Sequence, residues 1–131
     1  MSTYNVGKGS QQIRLAVDID TIGLAASRAI AVDLNSTDPA TPVAHSDNAT
    51  GDIAQKQIGT AKVLKNKRLS VLTKIDLIGD LDSRKKESER ISGKYILDDG
   101  KDGHMVFDDP DKVVADDFTT VILFKQVDLT A

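Results

Sequence analysis

Hydrophobic and polar residues alternate in several runs along the chain, and the longest clean run is Arg68 to Gly79. Leu69, Val71, Thr73, Ile75 and Leu77 point one way; Ser70, Leu72, Lys74 and Asp76 point the other. A period of two with β-branched residues predicts a strand with one well-buried face, and this length predicts a central one. Gln12 to Asp20 repeats the pattern, with Ile13, Leu15, Val17 and Ile19 opposite Arg14, Ala16 and Asp18. Arg28 to Asn35 predicts a second strand that buries either Ile30, Val32 and Leu34 or the alanines between them. Ile58 to Leu64 predicts a third, joined through Lys65-Asn66-Lys67 to the Arg68 strand as a hairpin. Ile91 to Leu97, the short Gly103 to Phe107 and the long Phe118 to Leu129 complete the set. The last is apolar on both faces, with Val121, Leu123, Lys125 and Val127 on one and Ile122, Phe124 and Gln126 on the other. It too reads as central.

The connections carry turn chemistry. Thr21 to Ser27 turns at Gly23, and Asp98 to Gly103 has two glycines that supply positive φ cheaply. Pro110 opens a short turn in the connection from Asp108 to Asp117. Asp80 to Arg90 has helical composition, with Asp82 or Ser83 as a cap, but almost no apolar face. It predicts one or two exposed helical turns or a charged loop. Residues 1–11 hold little apolar bulk and read as a flexible N-terminal arm, leaving 12–131 as a single domain. Residues 36–52 hold two of the three prolines and show no periodicity. A loop of that length is a solvated crossover or a functional segment. About seven strands without strand–helix alternation predict an all-β fold, an antiparallel two-sheet β-sandwich, with a small β-barrel as the alternative.

Composition sharpens this picture. At 131 residues the chain is long enough to bury about two-thirds of its surface around one core. It has no cysteine or tryptophan, two tyrosines and three phenylalanines, so the core must be aliphatic, with Tyr95 and Phe124 added to it. Of 20 acidic residues, 18 are Asp, a turn and cap former. Asp18, Asp33, Asp76 and Asp128 each sit between two inward aliphatics, which places the carboxylates on outer faces, where charge discourages edge-to-edge association. The net charge of −3 argues against nucleic-acid binding. Lys62, Lys65, Lys67, Arg68 and Lys74, and separately Arg84, Lys85 and Lys86, read as solvated faces. No run is apolar enough to span a bilayer, and MSTYNVGKGSQQ lacks the core of a signal peptide. The expectation is a soluble chain, cytoplasmic as synthesised.

Catalytic chemistry is sparse. His45 and His104 are the two histidines, and no nucleophile-elbow, zinc-protease or phosphate-loop pattern accompanies them. Gly7-Lys8-Gly9-Ser10 lacks both the preceding strand and the upstream glycine of a phosphate loop. The one cluster with chemical content is acidic. Asp98, Asp99, Asp102, Asp108, Asp109 and Asp111 are hard oxygen donors on adjoining turns, as calcium requires, with Asp80 and Asp82 as conceivable partners. Gly100 stands at the third position of a helical calcium loop and the flanks are strands, so that motif is absent. By elimination the sequence predicts a non-enzymatic protein–protein interaction or assembly module. It would work with a protein partner or a second copy, using the N-terminal arm to add to a neighbour's sheet edge. The alternative is a calcium-dependent ligand-binding sandwich. A hydrolase built on either histidine stands third.

Overall fold

A computed structural model of the chain describes residues 2–131. Ten strands and two short helices follow one another as β1 (Ser2–Asn5), β2 (Gln12–Asp20), β3 (Leu24–Asp33), β4 (Thr41–His45), β5 (Ile53–Thr60), α1 (Ala61–Leu64), β6 (Lys67–Asp76), α2 (Leu81–Arg90), β7 (Ser92–Gly100), β8 (Gly103–Phe107), β9 (Asp111–Val114) and β10 (Thr120–Thr130). They form two packed sheets and no closed barrel. The larger sheet runs β1-β10-β6-β3-β4, with β9 also on β10; the smaller runs β5-β2-β7-β8. The all-β sandwich expected from the alternation is therefore the fold. No helix of the described residues is long and apolar enough to cross a membrane.

The Arg68 run is central, as its length predicted. β6 pairs with β10 from Lys67 to Asp76 on one side and with β3 over the same residues on the other. Leu69, Val71, Thr73 and Ile75 face the smaller sheet, where Ile13, Leu15, Val17, Tyr95 and Leu97 meet them in one core. Each such aliphatic contributes about 1.5–3 kcal/mol on burial. In β3 the alanines are the inward residues. Ala25, Ser27, Ala29 and Ala31 are buried, while Ile30 and Val32 lie on the outer face. At Ala25 and Ser27 the reason is a crossing backbone: Ala25 N–H donates to the Ala49 carbonyl, the Ser27 hydroxyl donates to the Gly51 carbonyl, and a Cβ added to Gly51 would sit 2.8 Å from Ala25 Cβ. Phe124, expected in the core, is on the outer face of the larger sheet, half-buried beside Leu72 in the ladder.

Several connections differ from expectation. Residues 36–52 contain β4, which pairs with β3, and Thr50, which bridges to Ala25. The predicted third strand is displaced: Ile53–Thr60 forms β5, and Ala61–Leu64 is a helical turn capped by the Thr60 hydroxyl, 3.3 Å from Val63 N. β5 and β6 lie in different sheets, so no hairpin joins them. The charged 80–90 stretch is the helix α2, capped by Asp80 rather than Asp82 or Ser83. Its one buried carboxylate, Glu87, is held by Thr21 Oγ1, Ile22 N–H and Arg90.

The largest departure is at the start of the chain. Residues 1–11 were expected to be a mobile arm; Met1 lies outside the described residues, and Ser2–Asn5 form β1, parallel to β10 in the same chain. Tyr4 and Val6 are fully buried. The Tyr4 hydroxyl donates to the Gly103 carbonyl and accepts from Gly100 N–H at 2.9 Å, so it bridges the turn between β7 and β8. A Cβ at Gly100 would lie 2.5 Å from the Tyr4 ring, so the turn must carry glycine there. Gly9 and Gln11 carbonyls accept from the first two N–H groups of α1. The segment joins the two sheets.

The two tyrosines make opposite predictions under the same substitution. Tyr4→Phe strands the Gly100 N–H and Gly103 carbonyl and should cost about 1–3 kcal/mol in denaturant unfolding. Tyr95 is equally buried, yet its hydroxyl faces Thr73 without reaching hydrogen-bond geometry. Tyr95→Phe should therefore be neutral or stabilising. Equal costs would refute the clamp at Tyr4.

Alkaline pH gives a second check. Burial raises the Tyr4 hydroxyl above its usual 10 and pushes Tyr95 up to about 12. The unfolded chain then ionises both first, so native stability is intact below about pH 10 and falls as pH rises toward 12. Urea midpoints from pH 9 to 11.5 should fall more steeply for the natural chain than for Tyr95→Phe.

Candidate functional site

The β7–β8 hairpin and the crossing from β8 to β9 hold the six aspartates singled out by their density. The structure gives each a separate setting. β7 bulges between Leu97 and Gly100, which turns Asp98 and Asp99 apart. Asp98 Oδ1 lies 2.7 Å from His104 Nδ1, and its Oδ2 accepts from Gln55. Asp99 has φ of +74° and pairs with Arg14 at 3.2 Å. Asp102 accepts from Asn5 N–H at 2.8 Å, while its own N–H returns to the Asn5 carbonyl. Asp109 pairs with Lys125 at 2.8 Å, which holds its carboxyl below the usual range. Asp108 and Asp111 are exposed. Asp80 is committed to Ser83 N–H as the cap of α2, and Asp82 lies in that helix's first turn. Among the described residues no three His, Cys, Asp or Glu side chains come together to hold a metal.

The histidines are also apart. His45 is exposed on β4, 3.8 Å from Asp47. His104 is exposed on the outer face of the smaller sheet and is oriented by Asp98. Neither carries a hydroxyl partner among the described residues' hydrogen bonds. The chain has no thiol.

One buried cation was missed by the sequence reading of Lys125 as a face residue of the last strand. β9 ends its pairing with β10 at Phe124 and β1 begins at Val127, so Lys125 and Gln126 lie in a notch between two edge strands. The Lys125 side chain is 8% exposed and turns inward, donating to Ser2 Oγ and Asp109, with the Phe107 ring 5.7 Å away. A depression of about 400 Å³ lies over it, lined by Ser2, Asp109, Asp111, Phe124, Lys125 and Gln126.

The exposed strand edges differ sharply in protection. β4 carries Pro42. β5 is broken by two register shifts and carries Lys56. β1 and β9 have four residues each, β9 with Asp111 and Lys112. β8, Gly-His-Met-Val-Phe, is paired on one side only and has no proline, Lys, Arg, Asp or Glu; β1, Ser-Thr-Tyr-Asn, shares that lack but is shorter and has no exposed large apolar side chain. Apart from Tyr4 at Gly103, no hydrogen bond from outside the β7 ladder reaches the β8 backbone among the described residues. Val106 is 46% exposed next to Ile96 on the outer face. Proteins ordinarily blunt such an edge with charge, proline or a bulge.

The dispersed carboxylates predict that calcium leaves the protein unmoved. Melting temperature in millimolar calcium should match that in chelator within about a degree, since a ligand that binds the native state must raise it. A rise of several degrees would mean that the metal itself gathers these side chains. No protein family, curated protein or solved structure matches the chain.

Proposed function

We propose that the chain is a non-enzymatic protein–protein interaction module, an assembly or adaptor part, that takes an extended segment of a partner onto the free edge of β8. The observation that carries this reading is the contrast between β8 and every other edge of the two sheets. Three edges carry proline, register shifts or charge, β1 is uncharged but four residues long without an exposed large apolar side chain, and β8 is uncharged with Val106 exposed on it. Strand addition draws affinity from main-chain hydrogen bonds and selectivity from alternate side chains. Half of the backbone groups of β8 point away from β7 and are open to that pairing. The N-terminal segment, first expected to serve as the adding strand, is occupied on β10 and clamps the hairpin that presents β8. It supports the edge rather than supplying the donor.

The test is a footprint. Nine-residue extended peptides selected from a displayed library on the immobilised protein should, as synthetic peptides, slow amide hydrogen exchange most within residues 104–107. Protection centred on β4, β5 or a sheet face instead would refute strand addition at β8.

A further inference from the structure

The partner's chemistry is written in the residues that bracket the free edge. Asp98, Asp99 and Asp102 stand at its first end, against Arg14 on Asp99 and Lys101 in the turn. Asp108, Asp109 and Asp111 stand at the other, against Lys125, which is itself buried. Lys112 does not offset them, because its amine is turned away to the Ser88 carbonyl. Both ends of an uncharged five-residue strand are thus left acidic. We infer that the segment β8 receives is apolar and β-branched over about five residues and carries Lys or Arg at both ends, and that it belongs to another protein rather than to a second copy. This rests on the strand-addition reading above.

The exclusion of a second copy follows from register. Two copies pairing antiparallel over all five residues of β8 would centre on Met105. Gly103 would then face Phe107 of the other copy, and Asp102 would face Asp108. Like charges directly opposite on neighbouring strands are destabilising, whereas a cation in that place is favoured. The acidic ends therefore repel the copy and attract the basic-flanked segment. The centre must be apolar because it comes to lie beside Val106 on one face and Met105 on the other.

Two synthetic probes separate the outcomes: Lys-Lys-Val-Ile-Val-Ile-Val-Lys-Lys and the same centre flanked by Glu-Glu. In low salt the lysine-flanked peptide should bind about tenfold or more tighter by fluorescence anisotropy, with exchange protection at 104–107. The ratio should shrink toward about twofold in 0.5 M salt as screening sets in. Asp108→Lys, at an exposed position without an ion-pair partner among the described residues, should weaken the lysine-flanked peptide about threefold and leave the melting temperature in place. Equal affinity of both peptides with β8 still protected overturns the charge inference and leaves strand addition standing. Protection of β8 by neither peptide removes both. A concentration-dependent mass in light scattering, with β8 protected in the absence of peptide, would make a second copy the occupant.

Discussion

The structure depends on one hydroxyl placed between two backbone groups. A two-layer sandwich holds its inner faces together by packing, but the hairpin that connects β7 to β8 must also be held against the sheet it does not belong to. Tyr4 does this from the larger sheet by standing between Gly100 N–H and Gly103 carbonyl. Around it Asn5 exchanges bonds with Asp102, and Val6 N–H donates to the Thr130 carbonyl. A phenol in that position satisfies two polar groups that would otherwise be orphaned beside a core, where desolvation without a partner costs about 1–3 kcal/mol. Tyr95 shows the contrasting case: the same side chain, fully packed, contributes volume while its hydroxyl goes without a bond.

The interior was legible wherever one face of a strand is continuous. β2 and β6 emerge from alternation almost residue for residue, because Ile13 to Ile19 and Leu69 to Ile75 each bury every second side chain. The edge elements were not. β4 buries only Ala44 among its five residues and β1 only Tyr4 among its four, so neither has a period to detect. Ile58 and Leu64 flank a change from strand to helix that apolar spacing alone cannot mark. The false hairpin has the same origin: Asn66, at φ of +64°, turns the chain as expected, but it turns out of a helix and between sheets.

At the candidate site the acidic density was legible and its use was not. Which carboxylate meets which partner depends on Arg14, the Asn5 backbone and Lys125, all distant in sequence from the turns they engage. That β8 is an edge depends on strand order, which no local pattern encodes. Once the order is known, the same aspartates that suggested a metal cage stand at the two ends of an exposed edge strand. The abundance of Asp over Glu fits both: short side chains stay close to the backbone of the turns they cap.

The parallel pairing of β1 with β10 bears on how the fold carries load. Ser2 meets Val127 and Asn5 meets Thr130, so the two strands run in the same direction along four rungs. Tension applied between these strands from opposite ends acts along the ladder rather than across it. The rungs are then loaded together in shear instead of being peeled one at a time. The buried Tyr4 ring is an additional obstacle to sliding. A module that joins larger parts through its first and last strands would, by this geometry, resist being pulled apart at the point where the pull enters.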